Sequence, residues 1–165
     1  MSEDEVVDII DENDKVIGKT TKNIARGKNI LHRGAHVVVF NSDGKLFVQK
    51  RSKTKLVHPG LWGLGAGGWV SSGEDYETAA KRELKEELGI KKGIKFLFDF
   101  RYKTSDDNYK SKFYKCIFDG KIKLQKEEIE KGEFRTINEI KNMSKKGLLC
   151  PDTAIFFEKY LEMKK

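Results

Sequence analysis

The stretch GWVSSGEDYETAAKRELKEELGI, residues 68–90, decides how the chain is read. From residue 75 to residue 88 it predicts a helix. Ser72 or Gly73 is the expected cap, and the acidic Glu74 and Asp75 suit the positive helix end. Gly89 suits a left-handed exit. At about 100° per residue, Glu83 and Glu87 lie one turn apart and Glu86 stands beside them, so three carboxylates share a face. Ala80, Leu84 and Leu88 form the adjoining apolar arc, which can dock on a sheet and leave the carboxylates at the edge of the buried face.

Like charges at this spacing cost a few tenths of a kcal/mol per pair. Arg82, four residues before Glu86, offsets part of that cost, and a divalent cation would offset it more fully. Hard cations such as Mg2+ take carboxylate oxygens and keep water and phosphate oxygens as further ligands. Taken alone, the three glutamates read rather as a solvated face laced with Lys81, Arg82 and Lys85.

Outward from the helix, Val6 to residue 11 reads as a short strand with a turn at Asn13-Asp14. Residues 35–40 form a continuous apolar run, expected as a strand buried on both faces. Ser42-Asp43-Gly44 then turns the chain into a returning strand that closes on Gln49-Lys50-Arg51. Residues 52–73, with Pro59-Gly60 and Gly63, Gly65, Gly67 and Gly68, read as a long irregular loop of the kind that carries function. Further strands are expected at 94–102, 112–118 and 132–137, with a turn at Ser105-Asp106-Asp107-Asn108. A short helix follows at 138–143, and a last one opens at Pro151 and runs to about residue 162. Strands and helices that mix without strict alternation predict an α+β sandwich.

The 165 residues suit one domain with a real core. No apolar run approaches the roughly 20 residues of a spanning helix. The acidic start MSEDEVVDII has no signal-peptide pattern, so a cytoplasmic location is expected. Cys116 and Cys150 lack metal-ligand spacing and read as reduced thiols. The net charge of +7 admits an anionic partner. The lysines are scattered and form no basic stripe with interleaved aromatics, so charge alone argues only weakly for nucleic acid.

With Gly68, Glu74, Arg82, Glu83, Glu86, Glu87 and Gly89 at their spacing, and Leu84 and Ile90 aliphatic, the stretch matches every fixed position of the Nudix box. The chain resembles the Nudix hydrolase superfamily over most of its length. The resemblance implies an α/β/α sandwich with a mixed sheet and a single domain over residues 1–165. It implies metal-dependent hydrolysis of a diphosphate linkage in a small nucleoside-diphosphate-type or related organic compound, with Mg2+ or Mn2+. Glu83, Glu86 and Glu87 would bind the metal, joined by a backbone carbonyl of Gly68 or Gly67. Arg82 would orient Glu86, and Glu74 and Gly73 would hold the loop. Which carboxylate is the general base stays open.

Arg51 and Lys50 are the expected substrate-side cations, although strand alternation sends them to opposite faces. A further acidic ligand is expected from beyond the box. Glu127, Glu128, Glu130 and Glu133 are the candidates, with Glu128 best placed by position. The segments VDIIDENDKVIG, ILHRGAHVVVFNSDGKLFVQKRS and HPGLWG are similar to type 1 isopentenyl-diphosphate isomerase, which gives the alternative function. The isomerase's Cys-Gly-His-Pro segment aligns with Gly67-Gly68-Trp69-Val70, and its catalytic glutamate aligns near Phe113. His32 is the one retained candidate of its metal site. A second alternative is a non-catalytic nucleotide- or RNA-binding module of the same fold. His32, His36 and His58 read as structural or as ligand contacts, and Trp62 and Trp69 as core or as stacking platforms. The oligomeric state and the leaving group are not legible.

Overall fold

The computed structural model describes residue 2 and residues 4–165. Strand β3 (His32–Phe40) is the backbone of the fold, because its apolar run feeds two cores at once. Val38 and Phe40 point into one, with Phe113, Phe156 and Phe157. Ala35, Val37 and Val39 point into the other, with Leu84 and Leu88. Such two-faced burial needs a helical layer on each side of the sheet.

The sheet is seven-stranded. Its path runs β5 (Trp62–Leu64), β4 (Leu46–Arg51), β3, β8 (Asn108–Ile117), β7 (Lys95–Lys103), while β6 (Ala66–Trp69) also pairs with β3 and β9 (Ile129–Arg135) with β4. The β3–β8 pairing is parallel and the others are antiparallel, so the sheet is mixed as expected. Helix α2 (Tyr76–Leu88) covers one face, and α3 (Ile137–Lys145) and α4 (Pro151–Met163) contribute Ile140, Phe156 and Phe157 to the core on the other. A separate hairpin of β1 (Val6–Ile10) and β2 (Val16–Thr21) leads into the short α1 (Lys22–Gly27). No helix among the described residues is long and apolar enough to cross a membrane.

Three readings of the sequence need correction. Residues 52–73 are not one irregular loop, since they contain β5 and β6. Gly63, Gly67 and Gly68 have almost no strand propensity of their own, and partners on β4 and β3 supply the ladder. The α2 cap is Asp75, whose carboxylate accepts the Thr78 amide at 2.8 Å. Ser72 and Gly73 are instead held by Asp8 of β1, which accepts the Ser72 hydroxyl at 2.7 Å and the Gly73 amide at 3.3 Å. Strand β9 begins at Ile129 rather than at residue 132, because Ile129 is a buried core residue. The left-handed exit at Gly89 (φ 68°) and the Pro151 start of α4 stand as read.

Leu84 has no exposed surface, and it joins α2 to the sheet. Leu84→Ala is expected to destabilise the chain by about 2–5 kcal/mol. Urea unfolding checks this, and a loss below about 1 kcal/mol would show that α2 is not fixed by this contact.

Candidate functional site

Docking α2 by Ala80, Leu84 and Leu88 carries Glu83 and Glu87 into the protein. They retain only 6% and 9% of their exposure, whereas Glu86 stays outside. Burying carboxylates is costly unless something compensates them. Glu83 is compensated by Arg82, whose Nη1 stands 2.8 Å from Oε1. Glu87 has no cationic partner among the described residues. It accepts from the neutral amide of Gln49 at 2.7 Å, and Gln49 is itself fixed on the Gly65 carbonyl at 2.6 Å. Burial first, then the neighbouring Glu83 charge, push Glu87 up to about 8. Burial also raises Glu83, against the pull of Arg82.

Strand β6 has to approach these carboxylates closely. A Cβ at Gly68 would lie 2.4 Å from Oε1 of Glu83, and one at Gly67 would lie 2.2 Å from the His36 ring. At Gly67 the neighbours are the His36 ring and the Ala35 carbonyl, which cannot give way cheaply, whereas at Gly68 the contact is the movable end of Glu83.

Arg82 ties the helix to the loop before it. Its Nε and Nη2 donate to the two Glu74 oxygens at 2.9 and 3.0 Å, and Nη2 also reaches the Trp69 carbonyl at 3.0 Å. Its link to Glu86 is longer, at 3.4 Å. Arg82 therefore braces Glu74 and Glu83 more than it orients Glu86. Glu74 in turn accepts the Ser71 amide at 3.0 Å, and Gly73 takes the turn at φ 80°.

A cavity of about 1090 Å³ opens over these groups, lined among others by Glu83, Glu86, Glu87, Gly67, Gly68 and Gln49. Arg51 lines it too. Its Nε donates to the Val57 carbonyl at 2.9 Å, and its Nη nitrogens have no protein partner among the described residues. Lys50 does not line it, because alternation turns this side chain away toward Glu130, 3.6 Å distant. Of the acidic residues beyond the box, Glu127 and Glu128 reach the cavity. Glu128 is paired with Lys55, which holds it below the usual carboxylate range despite burial. Glu130 and Glu133 are spent on Lys50 and Arg135.

No three His, Cys, Asp or Glu side chains among the described residues are gathered as a finished cation site. The reason is visible in the ion pairs, since Glu86 leans to Arg82 and Glu128 to Lys55.

His32 lies flat on Trp69, with ring centroids 3.5 Å apart. Burial lowers it to about 4. His36 stacks on Phe113 at 4.7 Å, shares a 2.7 Å hydrogen bond with Ser111 and is likewise lowered to about 4. Trp62 packs against the core, and one face of Trp69 is covered by His32. His58 lines the cavity from a loop residue at φ 50°. Sequence reading missed Gln49, which seats Glu87. Its place two residues before Arg51, on the same strand face, was the available signal.

A model of the NUDIX domain matches residues 30–155 of this chain. An uncharacterized Nudix hydrolase of Pseudomonas aeruginosa is 32% identical over 166 residues, covering 98% of this chain and 96% of the relative. The crystal structure of DR0079 from Deinococcus radiodurans superposes with a TM-score of 0.84 at 25% identity, covering 94% of this chain and 98% of that one. The NUDIX domain of Shewanella oneidensis NrtR, solved with ADP ribose, shares the fold at a TM-score of 0.63 and 18% identity, over 81% of this chain and 88% of that domain. The mixed sheet with its helical layers is thus the Nudix fold, and the general reaction of the family is hydrolysis of nucleoside-diphosphate derivatives with divalent metal. The domain match across most of the chain, and the nearly full-length likeness to a Nudix hydrolase, make this chain a member of the Nudix hydrolase family.

Proposed function

We propose that the chain, acting as one domain over residues 1–165, hydrolyses the diphosphate linkage of a small nucleoside-diphosphate-type or related organic compound with Mg2+ or Mn2+. The observation that carries this reading is Glu87, a buried carboxylate that faces the cavity with only neutral hydrogen-bond partners among the described residues. Such a group calls for a cation. Glu83, Glu86 and Glu87 would hold it, with a backbone carbonyl of Gly68 and the carboxylate of Glu128. Divalent metal, when bound, neutralises the diphosphate and polarises its phosphorus.

The protein's own groups do the rest. A carboxylate of this set takes the proton of the attacking water. Arg51, whose Nη nitrogens have no protein partner among the described residues, stabilises charge on the outgoing phosphate. Arg82 holds Glu83 in place from behind and keeps the loop of residues 69–74 in register with α2. The reaction suits the cytoplasm, where two lone thiols stay reduced.

The isomerase alternative has no residue to carry it. Phe113, where its glutamate would align, is 1% exposed and packed between aromatic rings. Gly67 and Gly68 stand where its cysteine segment would be, and a Cβ at Gly67 would lie 2.2 Å from the His36 ring. The ADP ribose bound by the NrtR domain favours a nucleoside-diphosphate-linked compound as the first substrate to try.

A panel of diphosphate compounds with Mg2+ and Mn2+, read by released phosphate products, tests the proposal. Glu87→Gln is expected to lower kcat at least about 100-fold on any substrate found. Normal turnover in that variant, with metal dependence intact, overturns the reading.

Gly68→Ala is expected to push Glu83 aside while φ at residue 68 remains ordinary. Apparent affinity for Mn2+ should fall about tenfold or more, with the melting temperature within a few degrees of the parent. Unchanged metal affinity would show that Glu83 is not a ligand.

Stability should also report on Glu87. Its folded state keeps the proton up to about 8, against 4.5 for a free glutamate. Its contribution is therefore fully present below pH 4.5 and is lost as pH rises toward 8. In EDTA, the parent's melting temperature should fall more between pH 5 and pH 8 than that of Glu87→Gln. Equal slopes would contradict the burial account.

A further inference from the structure

The N-terminal hairpin grips the start of α2 with both of its ends. At its base, β1 runs beside the turn that joins β6 to α2. Val7 bridges Ser71 in antiparallel fashion, and the Val6 carbonyl accepts the Ser72 amide at 2.9 Å. The Glu5 carboxylate accepts the Ser71 hydroxyl. Asp8 is 8% exposed, and its two oxygens take the Ser72 hydroxyl and the Gly73 amide, both neutral donors. A buried carboxylate is costly unless such bonds are made, so Asp8 and the turn depend on each other.

At the tip of the hairpin, Asp14 stands in a left-handed conformation (φ 64°). Its Oδ1 accepts Nε of Arg33 on β3 at 2.7 Å and the hydroxyl of Tyr76, the first residue of α2, at 2.9 Å. Glu12 pairs with Arg101 of β7 at 2.9 Å. The two grips fall on either side of Asp75, the cap of α2. The hairpin precedes residue 30, where the match to the NUDIX domain begins.

A short relay leads from the clamped turn to the buried glutamates. Glu74 closes the turn, with its amide on the Ser71 carbonyl and its carboxylate on the Ser71 amide. The same carboxylate takes Nε and Nη2 of Arg82, and Nη1 of Arg82 meets Glu83. A shift of residues 72 and 73 therefore displaces Glu74, then the guanidinium, then the cation beside Glu83.

We propose that the β1–β2 hairpin clamps the loop between β6 and α2, and that Asp8 is a positioning residue: through residues 72–74 and Arg82 it sets where Glu83 stands and how tightly the glutamates hold divalent metal. The effect on metal rests on the reading of Glu83, Glu86 and Glu87 as ligands, and the clamp itself does not. Geometry, not charge, is what Asp8 supplies. In Asp8→Asn the amide oxygen can accept from Gly73 and the amide nitrogen can donate to the Ser72 hydroxyl, whereas Asp8→Ala loses both bonds.

The full-length parent is compared with Asp8→Ala, Asp8→Asn and Ser72→Ala. Mn2+ binding is read by electron paramagnetic resonance, at a temperature where circular dichroism shows the variants folded. Direct partners of metal ligands change affinity roughly 10- to 100-fold, and Asp8 acts from further away, so Asp8→Ala should weaken Mn2+ binding about fivefold or more. Asp8→Asn should stay within about twofold of the parent. If Asp8→Ala does not fold, Ser72→Ala decides, with an expected loss of about threefold or more. An affinity within about twofold of the parent in the deciding variant overturns the positioning role, and so does an equal loss in Asp8→Asn and Asp8→Ala. Amide hydrogen exchange in EDTA gives a readout without metal. Exchange across residues 71–76 should rise about fivefold or more in the deciding variant, with β8 unchanged. No rise overturns the clamp. A rise in a chain whose parent binds no Mn2+ overturns the ligand reading and leaves the clamp standing.

Discussion

The contact between α2 and β6 is the constraint on which the rest depends. The helix is driven onto the sheet by Ala80, Leu84 and Leu88, all with no exposed surface. That docking submerges Glu83 and Glu87 whether or not anything compensates them. The missing side chain of Gly68 leaves room for Glu83 against β6, while that of Gly67 leaves room for the His36 ring of β3. Hydrophobic burial thus places charged groups where their own solvation opposes them. The energy of packing Leu84 and Leu88, on the order of 2–3 kcal/mol each, is set against that opposition.

Arg82 shows how the tension is contained. One guanidinium meets Glu74, Glu83 and the Trp69 carbonyl, joining the helix to the strand end and the turn before it. The turn has a second anchor in β1, through Asp8 and the backbone of Val6, whose carbonyl accepts the Ser72 amide at 2.9 Å. The N-terminal hairpin, although outside the main sheet, therefore fixes the geometry of residues 71–73. Glu87 has no comparable cation among the described residues. The contrast between the two buried glutamates, one paired with a cation and one supported by the neutral Gln49 amide and the Gly67 backbone, separates a residue held by the fold from one left available to a ligand.

How much of this was legible follows from how local each signal is. Helix α2, its carboxylate face, its apolar arc and its glycine exit lie within residues 75–89, so periodicity and capping chemistry expose them. The apolar run of β3 is equally direct. By contrast, β5 and β6 were invisible because Gly63, Gly67 and Gly68 carry no strand preference, and their pairing is decided by β4 and β3 far along the chain. Strand β2 and helix α1 were missed for a similar reason, since VIGKTTKNIARG is short, polar and broken by glycine. The Asp75 cap was misplaced by a few residues because Ser72 is an equally good cap in isolation and is diverted by Asp8. Lys50 could be set aside from strand alternation alone. Gln49 could be set on the cavity side by the same alternation, two residues before Arg51, whereas the meeting of Asp107 and Asp152 in one cavity joins segments far apart in the chain.

The distribution of these segments bears on how such an enzyme can vary. The glutamates, Arg82 and the β6 glycines are bound to one another by contact, so changing any one disturbs the others. Asp107 sits in a turn and Asp152 at a helix start, each supported mainly by its own neighbours and by Tyr109. Neither contacts Glu83 or Glu87 through a hydrogen bond or ion pair. The cavity thus joins a part fixed by core packing to a part fixed by loop chemistry. The box reads clearly from sequence because packing dictates it, and the rest of the cavity does not, because its residues come from segments far apart in the chain.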